Sequence, residues 1–253
     1  MTAGFVVVIP ARFGSVRLPG KPLRLIAGKP MLEHVHRRGM QSGADEVIVA
    51  TDDERIVRAA RAFGAIVCMT GREHRSGTDR IAEVSRRSGW PGERIVVNVQ
   101  GDEPLMPPAL IDQCAALLRE SGAGIATLAS PFRSREDFES PNAVKVIVDN
   151  DRNAIYFSRA LIPFARSHET ASLAMQTALQ HHGIYAYRVE TLQRFVAAER
   201  SPLEIAEELE QLRALALGMT IRVGIPDRPP GRGVDVEEDL VRVERELAKE
   251  AET

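Results

Sequence analysis

Residues 5–30 read FVVVIPARFGSVRLPGKPLRLIAGKP, and this stretch decides the fold class. The apolar run Phe5–Ile9 is typical of a buried strand, and a helix-like pattern begins near Met31. Open α/β sheets bind ligands in loops that leave the carboxyl ends of their strands. The loop here carries three glycines and five cations, namely Gly14, Gly20, Gly28, Arg12, Arg17, Lys21, Arg24 and Lys29. Because glycines admit a phosphate to the backbone and cations neutralise it, the loop predicts a polyphosphate site.

An alternative for the same loop is a surface segment whose cations are simply solvated, which is the usual state of Arg and Lys. The loop has neither the GxGxxG fingerprint of dinucleotide-binding folds nor the GxxxxGK[ST] sequence of P-loop proteins. Those two classes are therefore not supported by their own signatures.

Outward from this loop, strand-like and helix-like segments alternate. Continuous Val/Ile runs separated by helical stretches predict a doubly wound α/β fold, with a mostly parallel sheet covered by helices on both faces. The predicted strands of the first half are 5–9, 46–51, 65–70 and 94–100, and the predicted helices are 31–42, 54–63, 79–88 and 108–121.

The second half is less regular. Strands are predicted over 124–131, 142–149, 183–189 and at TIRVGIP (220–226), and helices over 202–217 and 236–249. The region 151–180 is mixed and indicates an excursion from the sheet. Because the sequence contains no repeat, low-complexity tract or clear linker, we predict one domain over residues 1–253.

Bulk properties exclude several functional classes. Of the 253 residues 44% are hydrophobic and 27% charged, and the formal net charge is −2, which argues against a general nucleic-acid binder. No apolar run approaches the roughly 18 residues of a membrane span, and a core strand starts by Phe5, so we expect neither membrane insertion nor a signal peptide. Cys68 and Cys114 lie in apolar settings and predict reduced thiols in a cytoplasmic protein.

Two segments carry acidic residues suited to a metal. Asp102 and Glu103 of VNVQGDEPLMPP follow a predicted central strand, and carboxylates with substrate phosphates are typical Mg²⁺ ligands. A turn Asp, or an acid near a helix N-terminus, is the alternative. Asp235 of GRGVDVEEDL, with Glu238 three residues on, fits a helix cap and capping box, a role that is compatible with metal binding.

For several other polar residues the sequence allows either a functional or a purely structural role. In REHRSGTDR, Ser76 and Thr78 are either nucleotide contacts at a helix start or plain helix caps. One of His181 and His182 is predicted to point inward, where a histidine is more often part of the core than a catalyst. Glu210 has the i, i+3 spacing to pair with Arg213.

Taken together, the motifs resemble a known family. The segments IPARFGSVRLPGKPL, TDDERI, HRSGTDR, NVQGDEP, PNAVKV, YFSRA, HHGIYAYR, SPLEIAEELEQLR and PGRGVD occur in the order seen in 3-deoxy-manno-octulosonate (Kdo) cytidylyltransferases. The resemblance spans residues 5 to about 247. It implies a nucleotide-diphospho-sugar transferase-like, Rossmann-like fold, in which the excursion near residues 150–190 serves sugar binding and dimerisation.

The resemblance also implies an activity and its residues. The enzyme would transfer CMP from CTP to Kdo with Mg²⁺, releasing pyrophosphate and activating the sugar for lipopolysaccharide synthesis, as a homodimer. The implied catalytic residues are Lys21, Arg17, Asp102 and Asp235, of which Asp102 and Asp235 hold the metal. Nucleotide binding is implied for Arg12, Ser15, Arg17, Lys21, Ser76, Gly77 and Arg80. Sugar binding is implied for Gln100, Arg159, Arg166, His181, Tyr185, Glu210 and Gln211.

Two rival functions remain at this point. One is a cytidylyltransferase for a related acid sugar, such as 8-amino-Kdo or sialic acid. The other is a non-catalytic nucleotide-binding regulator built on the same sheet, against which the paired aspartates and the complete sugar-side set count.

Overall fold

The computed structural model describes residues 4–15 and 17–251. In chain order its strands are β1 (Phe5–Ala11), β2 (Leu25–Ile26), β3 (Lys29–Pro30), β4 (Glu46–Thr51), β5 (Ile66–Met69), β6 (Ile95–Asn98), β7 (Ile125–Pro131), β8 (Lys145–Val148), β9 (Ala154–Ser158), β10 (Leu179–Arg188) and β11 (Ile221–Gly224). Its helices are α1 (Met31–Met40), α2 (Glu54–Ala62), α3 (Gly77–Arg87), α4 (Pro108–Ser121), α5 (Arg135–Glu139), α6 (Ala171–Thr177), α7 (Val189–Ala197), α8 (Pro202–Glu207), α9 (Gln211–Ala216) and α10 (Glu237–Ala251). Short 3-10 helices cover Lys21–Leu23 and His168–Thr170.

The chain divides into two compact units. The first comprises Met1–Asp112 with Pro230–Thr253, and the second comprises Gln113–Pro229. The prediction of one domain over residues 1–253, with an excursion near 150–190, stays a prediction.

Parallel strands form the core of the first unit. Strand β1 pairs with β4 on one side and β6 on the other, and β4 pairs with β5, all in parallel. Every residue of β1 is buried, which is why this strand reads as a continuous apolar run rather than an alternating one. Helices α1 and α3 pack against β1 and β4. The predicted strands and helices of this half are confirmed, with shifts of at most two residues at their ends.

Side-chain caps fix where two helices of this unit begin. The carboxylate of Asp53 accepts a 2.9 Å hydrogen bond from the backbone N–H of Arg55 and starts α2. Ser76 and Asp79 form a reciprocal capping box that starts α3, with bonds of 3.1 Å in both directions. The alternative that Ser76 is a helix cap is therefore confirmed.

The second unit is mixed in strand direction. Strand β7 pairs parallel to β11 and antiparallel to β10, and β8 and β9 form an antiparallel pair. Strand β10 starts at Leu179, four residues before the predicted strand, and has an irregular register between His182 and Tyr185. The irregularity changes which residues face β7 along this strand.

The prediction of one helix over residues 202–217 is wrong. The structure has α8 and α9 instead, separated by Glu208 in a left-handed conformation with φ of 53°. A right-handed helix cannot continue through a left-handed residue. The apolar periodicity did not reveal the break, because Leu209 and Leu212 are buried on either side of the second start.

The predicted fold class is confirmed as α/β with a mostly parallel sheet. Among the described residues, both cysteines are free thiols, as expected. None of the helices in the described ranges combines the length and apolar character that crossing a membrane requires.

Candidate active site

The first loop leaves β1 and folds back on itself. The backbone N–H of Gly20 donates to the carbonyl of Phe13 at 3.3 Å, and Gly20 has a φ of 67°, a conformation that favours glycine. The hydroxyl of Ser15 accepts a 3.3 Å bond from the backbone N–H of Leu18, whose side chain is buried. These contacts bring the loop back to the end of β1, where Lys21 begins a 3-10 helix.

Lys21 contacts both of the aspartates that the family resemblance implies as metal ligands. Its Nζ atom lies 2.6 Å from Oδ2 of Asp102 and 3.1 Å from Oδ1 of Asp235. Arg17 also donates to Oδ1 of Asp235 at 3.1 Å. The Lys21 side chain is only 12% exposed, so its charge is better shielded from water than that of Arg17, which is 67% exposed. The structure thus brings together the four residues with predicted catalytic roles.

Close backbone packing holds the two aspartates near each other. A Cβ on Gly101 would lie 2.9 Å from the carbonyl oxygen of Pro10, so only glycine fits at this approach of the GDEP turn to the end of β1. The backbone N–H of Val234 donates to the carbonyl of Asp102 at 2.9 Å. A Cβ on Gly233 would lie 2.8 Å from a carboxylate oxygen of Glu103. Gly101 and Gly233 therefore allow the close approaches that hold the segments of Asp102 and Asp235 in place.

The pKa of Glu103 reflects the charges that surround Asp102 and Asp235. Its pKa is raised to about 8, mainly by burial and also by the neighbouring carboxylates of Asp102 and Asp235, against the opposing charges of Lys21 and Arg242. A carboxyl whose ionisation is opposed by burial and by two other carboxylates lies in a region of concentrated negative charge. That is a favourable environment for a cation.

The donor set of this corner fits Mg²⁺. Asp102 and Asp235 offer hard carboxylate oxygens, and one ammonium group already contacts both of them, so a single cation can reach the two side chains. Mg²⁺ is usually held by one or two carboxylates together with substrate phosphates. The identification of these two residues as metal ligands remains a prediction.

The capping interaction predicted at Asp235 is present with a different partner residue from the predicted one. The carboxylate that reaches back is that of Asp239 rather than Glu238, and it accepts bonds from the backbone N–H groups of Asp235 and Val236 at 2.8 and 3.1 Å. Helix α10 begins at Glu237, later than the sequence indicated, and this moves the reciprocal position by one residue. The Asp235 side chain is consequently directed to Lys21 and Arg17.

A cavity of about 410 Å³ adjoins these residues. Ligand sites of small molecules span roughly 300–1,000 Å³. Its lining belongs wholly to the first unit and consists of Pro10, Ala11, Arg12, Ser15, Arg17, Lys21, Pro22, Met31, His74, Arg75, Ser76, Gly77, Arg80, Gln100, Gly101, Asp102 and Asp235. The lining contains every residue predicted to bind the nucleotide, and also Gln100, which was predicted to bind the sugar.

The start of α3 forms one wall of this cavity. A Cβ on Gly77 would lie 3.0 Å from the ring of Pro10, so the helix begins directly against the end of β1. Arg80 is buried: its guanidinium donates to the Thr70 hydroxyl and, at 3.3 Å, to the Gly71 carbonyl, and lies 3.3 Å from the Asp52 carboxylate. Most of its bonding is therefore within the protein, where it fixes the segment before α3.

Arg159 and Arg166, both predicted on the sugar side, lie in the second unit. Arg159 follows β9 directly, and its Nε donates to the carbonyl of Glu207 at 3.0 Å while Nη1 donates to that of Pro141 at 3.2 Å. Arg166 is exposed. Arg159 is thus oriented by the protein.

His181 and Tyr185 lie together on β10. The Nε2 atom of His181 is 3.0 Å from the hydroxyl of Thr127, and its ring packs against those of Phe157 and Tyr185 at centroid distances of 5.1 and 5.3 Å. Burial lowers the pKa of His181 to about 3, so the imidazole is neutral at physiological pH. The inward orientation expected of one histidine of this pair is confirmed.

Tyr185 carries a polar atom without a protein partner. Within the part of the chain that the structure describes, its buried hydroxyl makes no hydrogen bond. Burial raises the pKa of this phenol well above its usual value, so it remains a donor. Buried hydroxyls are normally paired, and one that is not is a candidate ligand contact.

Glu210 and Gln211 lie at the start of α9. The Glu210 carboxylate is 3.7 Å from the guanidinium of Arg213, which confirms the predicted i, i+3 pairing. Arg213 itself is buried and forms two 2.7 Å bonds to Glu204. The segment with the predicted sugar contacts is therefore anchored on a buried ion pair.

Sequence reasoning missed His74 and Arg75 as cavity residues. The His74 ring contacts the carboxylate of Glu83, which also accepts a 2.9 Å bond from the backbone N–H of Gly71. Their position in the sequence could have indicated this, because both residues directly precede Ser76 in the REHRSGTDR motif.

Comparison with known proteins accounts for this arrangement. The sequence model described as cytidylyltransferase matches residues 6–221. A solved structure of CMP:2-keto-3-deoxy-manno-octonic acid synthetase complexed with CTP is 42% identical to this chain, with a TM-score of 0.89. The match covers 98% of this chain and 99% of that one. The chain belongs to the cytidylyltransferase family.

Proposed function

We propose that the protein transfers CMP from CTP to Kdo, giving CMP-Kdo and pyrophosphate. The observation that carries the chemistry is the contact of Lys21 with both Asp102 and Asp235 at the edge of one cavity. This contact places the Lys21 ammonium, which can bind a phosphate, beside two carboxylates that can bind a metal ion. The similarity to a CMP-Kdo synthetase complexed with CTP, at 42% identity over 98% of the chain, supports these two substrates.

The cations of the first loop would bind the triphosphate. Arg12, Arg17 and Lys21 all line the cavity. Phosphoryl-type transfer depends mainly on positioning and on neutralising the charge that develops on the phosphate oxygens. Lys21 would stabilise the reacting phosphate and Arg17 the departing pyrophosphate, while Ser76 and Gly77 would adjoin the base.

In the reaction the anomeric 2-hydroxyl of Kdo attacks the α-phosphorus of CTP. A new bond forms between the sugar oxygen and this phosphorus, the bond to the β-phosphate oxygen breaks, and pyrophosphate leaves in line. In this scheme the hydroxyl proton passes to solvent.

Asp102 and Asp235 would hold Mg²⁺, which when bound neutralises phosphate charge and lowers the pKa of a coordinated hydroxyl. The raised pKa of the neighbouring Glu103 is consistent with this assignment, because the carboxylates of Asp102 and Asp235 contribute to it in addition to burial. Lys21 contributes a fixed positive charge to the same carboxylates.

The sugar side would use Gln100, Arg159, Arg166, His181, Tyr185, Glu210 and Gln211. Kdo is a carboxylate, and an arginine recognises a carboxylate through charge-assisted hydrogen bonds. Arg159 has two of its donors engaged by backbone carbonyls, so its guanidinium is pre-oriented. The unpaired hydroxyl of Tyr185 is available for a sugar oxygen.

The biological setting follows the same proposal. Activation of Kdo would serve lipopolysaccharide synthesis, and two free cysteines support a cytoplasmic location. A homodimer is supported by exposed apolar side chains in the excursion region, where Ile155, Leu161 and Phe164 are 58%, 45% and 86% exposed. Light scattering of the purified protein would test the dimer.

The function is tested by pyrophosphate release from CTP with a panel of acid sugars. We expect release with Kdo that requires Mg²⁺, and much weaker release with 8-amino-Kdo or sialic acid. Preferred release with one of the other sugars would assign the protein to that acceptor. Binding of CTP without release for any acceptor would favour a regulator.

A further inference from the structure

Lys145 is buried completely, and neither the proposed chemistry nor the predicted site uses it. It is the first residue of β8 and pairs with Ser158 of β9. A fully buried lysine is rare unless it is paired. Burial lowers the pKa of this lysine, the neighbouring Arg159 lowers it further, and Glu207 opposes the shift. Such a costly residue needs a structural or functional reason.

The contacts of Lys145 lead to one residue. Its ammonium donates to the carbonyl oxygens of Ser140 at 2.7 Å and of Arg159 at 3.1 Å. The lysine therefore ties the chain at Arg159 to the segment that precedes β8. Within the described residues, the bonds of its ammonium go to these two backbone carbonyls.

Glu207 holds the same residue from the other side. Its carboxylate accepts from the hydroxyl of Ser158 at 2.6 Å and from the backbone N–H of Arg159 at 2.8 Å. The carbonyl of Glu207 in turn accepts from Nε of Arg159 at 3.0 Å. The N–H, the carbonyl and the guanidinium of Arg159 are thus all bound by two residues that are distant from it in sequence.

We propose that Lys145 and Glu207 are positioning residues that orient the Arg159 guanidinium for the carboxylate of the acid sugar. The inference rests on the proposed function, because it takes Arg159 as the group that recognises this carboxylate. It adds that the specificity for an acid sugar depends on a buried lysine and on the glutamate at the end of α8. An arginine held at its backbone and at Nε loses little freedom when it binds, which favours affinity.

The test is steady-state kinetics with Kdo and CTP varied separately. Lys145→Met keeps most of the side-chain volume and removes the donors. We expect it to raise KM for Kdo by about tenfold or more, as for the loss of charged hydrogen bonds, and to leave KM for CTP unchanged. Glu207→Ala should act in the same direction, and Glu207→Gln should act less, because its amide oxygen still accepts from the Arg159 N–H.

Val146→Ala is the matched control for a merely structural effect. Val146 is the next residue of β8 and is also fully buried, so its truncation destabilises the same strand. It should lower the melting temperature without raising KM for Kdo. Should Lys145→Met fail to fold, the two Glu207 variants carry the test, because Glu207 is only half-buried.

Three results would overturn the inference in different ways. If Arg159→Ala raises KM for Kdo while Lys145→Met and Glu207→Ala do not, the positioning role is wrong and the proposed function stands. If Arg159→Ala leaves KM for Kdo unchanged, Arg159 does not recognise the sugar, and the positioning proposal fails with it. An equal rise in KM for Kdo in Val146→Ala would show that destabilisation alone explains the effect.

Discussion

The ammonium of Lys21 lies 2.6 Å from the carboxylate of Asp102, although the two residues are 81 positions apart in the sequence. The contact joins the loop after β1 to the turn after β6, and those two strands are neighbours in the sheet. It links the predicted phosphate site to the predicted metal site within the first unit. The consequences of removing each partner can be stated separately.

Removing the charge of Asp102 should impair turnover and leave the fold intact. We expect Asp102→Asn to lower kcat by about 10²-fold or more, by analogy with the loss of one electrostatic stabiliser. Asp45→Asn is the control, since it breaks a 2.6 Å surface pair with Arg94 outside the cavity. Near wild-type turnover in Asp102→Asn, measured by pyrophosphate release, would refute the metal assignment.

Removing the charge of Lys21 should affect CTP more than Kdo. Lys21→Met keeps the stem and deletes the ammonium, and we expect calorimetry to show CTP binding weakened by roughly 10- to 100-fold, the range for a charged hydrogen bond. Arg37→Met, which removes an exposed partner of Glu33, should bind CTP normally. If Kdo binding fell and CTP binding did not, the role assigned to Lys21 would be wrong.

Breaking the buried ion pair between Glu204 and Arg213 should lower the free energy of unfolding strongly. Both residues are almost fully buried and share two 2.7 Å bonds. Glu204→Ala leaves the Arg213 guanidinium in the interior without that carboxylate, and we expect the unfolding free energy to fall by about 3–5 kcal/mol. Urea denaturation measures this loss. Arg200→Ala, which removes the more exposed partner of Glu204, should cost far less, and equal losses would contradict this account.

His181 should remain neutral through the physiological range. Burial lowers its pKa to about 3 from 6.5, so the unfolded chain binds this proton more readily than the folded protein does. The stability that depends on the neutral ring is complete above about pH 6.5 and falls as the pH drops toward 3. An NMR titration should show no change of the His181 ring between pH 8 and 5, and an inflection in that range would contradict its burial.

Glu103 should change the pH dependence of stability in the direction opposite to His181, because its contribution is lost as the pH rises. Its folded pKa of about 8 lies above the 4.5 of an unperturbed glutamate, so the folded protein retains this proton over a range where the unfolded chain releases it. The difference favours folding below about pH 4.5 and is lost as the pH rises toward 8. Glu103→Gln, which stays neutral, should therefore show a smaller loss of stability between pH 6 and 8 than wild type in urea denaturation; identical slopes would contradict the shift.

Much of the first unit could be predicted, because its central strands β1, β4 and β6 are almost entirely buried and read as unbroken apolar runs. Lys21 and Asp102 were expected to lie close together because loops from parallel strands share a sheet edge, whereas the place of Asp235 beside them was implied only by the family resemblance. The break at Glu208 was not predictable, since a left-handed glutamate leaves no mark in apolar periodicity. The roles of Lys145 and Glu207 were equally hidden, because both depend on bonds to the distant Arg159.

The measurement that tests the central claim most directly is transfer of label from CTP carrying ³²P at the α-phosphate. With Kdo and Mg²⁺, the label should appear in a product that joins CMP to the sugar, and the released pyrophosphate should be unlabelled. Label that stays in CTP, or that appears only in free CMP when Kdo is present, would contradict the proposed transfer.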